Sequence, residues 1–116
     1  MRSRSWNAGL IAAAVTAGVL LYIGTPALGS GRKPTTHTVT IDATSFTPST
    51  LTVRSGDTVI WVNKDIIPHT ASSSSGKFDS GTLLTGKSWR FTTKATGEFD
   101  YTCLFHPTMK GTLRVR

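Results

Sequence analysis

From His37 to the C-terminus, apolar residues recur at every second position, and no stretch keeps a helical period. "HTVTID" puts Val39 and Ile41 on one face. "STLTVRSGDTVIWVNKD" pairs Leu51 with Val53 and turns at Ser-Gly-Asp. It then enters "TVIWV", apolar on both faces as a central strand would be. "KSWRFTT" directs Trp89 and Phe91 inward, "EFDYTC" aligns Phe99, Tyr101 and Cys103, and "GTLRVR" aligns Leu113 and Val115. "TASSSS" reads as a solvated strand or loop. About seven to eight short strands, punctuated by Gly, Pro, Asp and Ser, predict an all-β fold, a two-sheet sandwich or barrel.

The first residues follow another rule. "MRSRSWN" is basic, "AGLIAAAVTAGVLLYIG" is apolar, and "TPALGSG" combines a helix breaker with small residues. That order is a secretory signal, with a cut expected near Gly29–Ser30. The alternative is an uncleaved membrane anchor, for which the apolar run is short. The expected organisation is therefore 1–29 signal peptide or anchor helix, 30–36 flexible lead-in, and 37–116 folded domain. A domain this small buries a modest core, and exported domains of this size often add disulfides or a metal. The chain has one cysteine, which excludes an internal disulfide and leaves a metal as the available reinforcement.

That cysteine opens "CLFHPTM", with Cys103, His106 and Met109 at intervals of three. Strand parity points Cys103 into the core. The segment reads as a short loop between two strands, stiffened by Pro107, with Met109 just ahead of the last strand. "IIPHT" supplies a further donor, His69, beyond Pro68. Two imidazoles, a thiolate and a thioether form the ligand set of a blue-copper electron-transfer site. Thiolate and thioether favour Cu(I), while imidazole also accepts Cu(II). Zinc would also accept Cys and His, but a structural zinc site would more usually replace the thioether with a further Cys or His. His37 lacks a companion donor and reads as a surface histidine; Trp61, Trp89 and Tyr101 read as core.

"FTPSTLTVRSGDTVIWVNKD", "PHT", "FDSGTL" and "GEFDYTCLFHPTMKGTLRV" occur in an order that resembles the cupredoxins, the small blue-copper proteins. The short Cys-x-x-His-x-x-Met spacing is most similar to amicyanin. The resemblance implies a Greek-key β-sandwich holding one type 1 copper through His69, Cys103, His106 and Met109. It also implies redox protein partners docking on an apolar patch around His106, for which Pro68, Phe105 and Pro107 stand ready. Two departures concern the surroundings of the metal. Relatives often carry Asn after the upstream His, where this chain has Thr70, and many carry Pro before the loop His, where it has Phe105.

The net charge of +7, from 13 Lys+Arg against 6 Asp+Glu, is scattered and not clustered with aromatics, which argues against nucleic-acid binding. Three histidines are too few for the additional copper centres of a copper enzyme, so no enzymatic activity is expected. The expected function is one-electron shuttling between partners in the periplasm or another extracytoplasmic space, by a monomer. A copper carrier or storage protein, delivering the metal itself, is the alternative.

Overall fold

The computed structural model describes Gly18, Gly24 and residues 31–116; the signal or anchor expected at 1–29 lies outside the described residues. The chain divides into a unit at Met1–Ser30 and a unit at Gly31–Arg116, and the second is an eight-stranded sandwich. Its strands are β1 Thr36–Asp42, β2 Ser45–Thr47, β3 Thr50–Val53, β4 Thr58–Asn63, β5 Ser72–Ser73, β6 Ser88–Thr92, β7 Gly97–Cys103 and β8 His106–Val115. One sheet runs β2-β1-β4-β6 and the other β3-β8-β7-β5. The β1–β4 and β3–β8 pairs are parallel, and the remaining pairs are antiparallel. Among the described residues there is no helix, and so none long and apolar enough to cross a membrane.

The alternation expected from the sequence is what the sheets use. Val39, Ile41, Val59, Trp61, Tyr101, Cys103, Leu113 and Val115 are buried between them. β4 lies inside its sheet, as the apolar "TVIWV" required, with Ile60 and Val62 half-covered on its outer face. Trp89 and Phe91 are half-buried against the core, and "TASSSS" yields the two-residue edge strand β5. Edge-to-face contacts of Tyr101 with Phe46 and Trp61, at centroid distances of 4.7 and 5.5 Å, fill the middle.

Within the lead-in expected to be flexible at 30–36, Arg32 and Thr35 are instead tied down, and its last residue opens β1. The cause is Asp57, whose side chain is 1% exposed at the end of the Ser-Gly-Asp turn. The Arg32 guanidinium donates to both of its oxygens at 3.1 Å, and the Thr35 and Arg54 amides donate at 2.9 and 3.1 Å. His37 Nε2 lies 3.0 Å away, so the histidine read as a plain surface residue is partly buried against a carboxylate. A buried carboxylate requires such donors, and here several come from the lead-in. Arg32 above all, then the Thr35 amide and His37, hold the Asp57 carboxyl well below the usual carboxylate range.

Candidate metal centre

His69 reaches the site from the segment after β4. Buried Asn63, the last residue of β4, donates to the carbonyls of Ile67 and Leu83 at 2.9 and 2.8 Å. Its own oxygen accepts from the Asp65 amide at 2.9 Å. The turn from 64 to 68 is therefore pinned from inside. His69 and Leu83 exchange backbone hydrogen bonds at 3.1 and 2.8 Å, which fixes the main chain of His69. On its ring, Nε2 lies 3.0 Å from Asp65 Oδ2, so Nε2 carries the proton and Nδ1 keeps a lone pair for a metal. The Thr44 amide, ahead of His69 and the Ile66 amide, holds the Asp65 carboxyl below its ordinary range.

Cys103 and His106 come from the β7–β8 turn. "CLFHPTM" is tighter than the loop expected: β7 ends at Cys103, β8 begins at His106, and only Leu104 and Phe105 turn the chain. Met109 accordingly lies within β8, not ahead of it. Thr102 faces Lys110 while Cys103 faces His106, so residues 107–109 are extra on the β8 side. Pro107, lacking an N–H, suits such an interruption of the ladder. It keeps His106 opposite Cys103, and Met109 is buried in the same core cluster as Cys103.

The buried Cys103 Sγ lies 3.6 Å from His69 Nδ1 and 3.7 Å from His106 Nδ1. All three donor atoms fall within 4.8 Å of one another, and the two rings are 5.0 Å apart at their centroids. Bonds of about 2.0 Å to nitrogen and 2.3 Å to sulfur, meeting at tetrahedral to trigonal angles, span roughly 3.5–3.7 Å between nitrogen and sulfur. The spacing is thus that of ligands around one first-row ion. A soft sulfur flanked by two imidazole nitrogens, with Met109 buried in the same core as Cys103, fits a single type 1 copper.

The sequence left two contacts to this centre unread or half-read. Asp65 was missed, although its four-residue spacing from His69 was visible; the geometry of the turn decides whether such a pair meets. Thr70 ties the two ligand segments together. Its amide donates to Cys103 Sγ at 3.3 Å, and its hydroxyl accepts from the Leu104 amide at 2.9 Å. Around half-buried His106, Ile67, Pro68, Thr82 and Phe105 line a shallow apolar depression, with Pro107 exposed in the same turn region. Ile66 and Leu104, 88% and 61% exposed, are further large apolar residues on the two ligand segments.

A two-sheet β-sandwich carrying a mononuclear site of two imidazoles and a thiolate at one end defines a small copper-binding class. Comparison with known proteins gives it a family. The Cupredoxin-like domain matches residues 12–115, and the chain belongs to that family. It is 30% identical to amicyanin-alpha of Methylorubrum extorquens over 96% of both chains. It is also 28% identical to the amicyanin of Paracoccus versutus, over 63% of this chain and 59% of that relative's length. Among solved structures, a purple cupredoxin from Nitrosopumilus maritimus superposes with TM-score 0.63 at 30% identity, covering 69% of this chain and 99% of that one. A copper-containing nitrite reductase from Thermus scotoductus superposes with TM-score 0.67 at 32% identity. That match covers 73% of this chain but only 23% of the reductase.

Proposed function

We propose that the protein is a one-electron carrier of an extracytoplasmic space, and that His69, Cys103, His106 and Met109 hold its copper. The observation that carries this reading is the convergence of three donor atoms within 4.8 Å, with His69 and Cys103 also held by contacts that do not involve a metal. Copper bound there would supply a Cu(I)/Cu(II) couple in a donor set of mixed softness. The protein's part is to present those donors in one arrangement for both states. Asp65 orients the His69 ring, the Thr70 amide donates to the Cys103 sulfur, and Thr70 Oγ1 anchors the turn between Cys103 and His106. Apolar residues surround the half-buried His106 edge.

The basic, apolar and small-residue order of residues 1–29 supports export, as a cleaved signal or an anchor ahead of the domain. The depression at Ile67, Pro68, Phe105 and His106, extended by Pro107, is the surface proposed for docking a redox protein. Electrons would cross there through the His106 ring. Relatives named as amicyanins support a carrier over an enzyme.

Adding Cu(II) to the purified protein tests the proposal. An intense blue or purple thiolate-to-copper band, bleached reversibly by reductant and absent in Cys103→Ser, is expected. A band retained in Cys103→Ser refutes the ligand assignment. Tight Cu(I) binding with no stable Cu(II) form moves the function to copper delivery or storage.

A further inference from the structure

Behind the metal centre runs a line of hydrogen bonds that the copper chemistry above does not use in full. The Leu104 amide donates to Thr70 Oγ1 at 2.9 Å. Thr70 Oγ1 lies 3.0 Å from Ser72 Oγ, and Ser72 Oγ donates to Asp79 Oδ1 at 2.9 Å. The same Asp79 oxygen accepts the Gly81 amide at 2.9 Å. Thr70 and Ser72 are 2% and 7% exposed, whereas Asp79 sits on the surface, in the "FDSG" stretch of the long β5–β6 connection.

The donors in this line can be ordered from one end to the other. An ionised carboxylate only accepts, so Ser72 must direct its single hydroxyl proton at Asp79. Ser72 Oγ is then left as the acceptor for the Thr70 hydroxyl proton. Thr70 in turn keeps its lone pairs for the Leu104 amide, which can only donate. We propose that Asp79 is a positioning residue for the metal centre. Through Ser72 and Thr70 it sets the direction of the hydroxyl relay that clamps Leu104, and with it the two-residue turn between Cys103 and His106. Without an acceptor at position 79, Ser72 is free to turn its proton toward Thr70, and the relay loses its fixed polarity where the turn is held.

The relay itself needs no copper; only its effect on a reduction potential rests on the copper reading. The primary test therefore uses copper-free protein. Amide exchange at Leu104 is measured by nuclear magnetic resonance in the parent, Asp79→Ala, Asp79→Asn and Thr70→Val. Thr70→Val removes the acceptor of the Leu104 amide and is expected to speed Leu104 exchange by roughly tenfold, since about one hydrogen bond's net contribution is lost, and Asp79→Ala is expected to speed it by a smaller, measurable factor. The Tyr101 amide is expected to stay protected. Asp79→Asn retains a carbonyl acceptor held by the Gly81 amide, so it is expected to keep Leu104 protected. If Asp79→Ala does not fold, Ser72→Ala interrupts the relay at its middle and must likewise speed the exchange. In the copper-loaded protein, Asp79→Ala is expected to shift the potential further than Asp79→Asn does. Unchanged Leu104 exchange in Asp79→Ala overturns the proposal. So do equal potential shifts in the Ala and Asn variants, which would make Asp79 only a distant charge.

Discussion

Gly111 lies directly opposite Tyr101 in the β7–β8 ladder, one rung before Thr102–Lys110 and two before the break that admits the metal ligands. A methyl group at position 111 would come within 2.2 Å of Tyr101 Cζ, 2.5 Å of its Oη and 2.7 Å of its Cε1. Carbon atoms in good contact stand about 3.5–4.0 Å apart, so the ring would have to retreat by more than about 1 Å. It has nowhere to go: Phe46 and Trp61 meet it edge-on and Phe78 lies at 5.8 Å, with the whole residue 1% exposed. Overpacking of this kind costs about 1–3 kcal/mol, and a boxed ring on a paired strand belongs at the upper end. For a domain of this size each kcal/mol moves the melting temperature by roughly 4–8 °C, so Gly111→Ala is expected to lower Tm by roughly 12–24 °C. Thermal circular dichroism of the copper-free protein measures it. Replacing the ring must relieve the clash, so Tyr101→Leu should cost less in the Gly111→Ala background than alone. A Gly111→Ala melt within about 3 °C of the parent refutes the reasoning, because it would mean that β7 and β8 separate freely beneath the site.

Asp65→Ala removes the acceptor that orients the His69 ring and is expected to weaken copper affinity about 10–100-fold, read by competition with a chelator; unchanged affinity would remove Asp65 from the site. Met109→Leu is expected to retain copper and raise the reduction potential, because a donor to Cu(II) is lost; a redox titration showing an unchanged or lower potential argues against axial ligation. Acid stability follows from Asp57. Its carboxyl is depressed in the folded protein from an ordinary 3.8, so its contribution is present above that value and drains away as pH falls below it. Melts between pH 6 and 2 should show a steep acid limb that Asp57→Asn flattens, and an equally steep limb in the variant would place the acid sensitivity elsewhere.

Strand parity alone buried Val39, Ile41, Tyr101, Cys103, Leu113 and Val115, because a period of two leaves a half-covered sheet no other way to face its core. The donors at 69, 103 and 106 were legible for a different reason: a chain with so few sulfurs and imidazoles places them in one short segment and one Pro-His step. What parity could not reach was the register. Nothing in "CLFHPTM" tells whether Pro107, Thr108 and Met109 form a loop or an interruption inside β8; that depends on Thr102 finding Lys110 and Cys103 finding His106 across the hairpin. The tie on residues 31–36 was hidden likewise. Arg32 looks like a solvated charge until the fold carries Asp57 beneath it, and only a buried acceptor makes that segment ordered.

Copper changing oxidation state ordinarily asks its ligands to move, since Cu(I) and Cu(II) prefer different donors. In this sandwich the proposed donors His69 and Cys103 are held by bonds that involve no metal. His69 is fixed twice, by its backbone exchange with Leu83 and by Asp65 on its far ring nitrogen. The Cys103 sulfur accepts the Thr70 amide, and the turn after it hangs on the Thr70 hydroxyl. Both ties run from the β4–β5 segment to the β7–β8 hairpin, so the two ligand segments are joined to each other before any metal joins them. A centre braced in that way gains little from relaxing around either oxidation state. That is the physical property the proposed one-electron carrier needs, and the ties that would supply it come from Asp65 and Thr70.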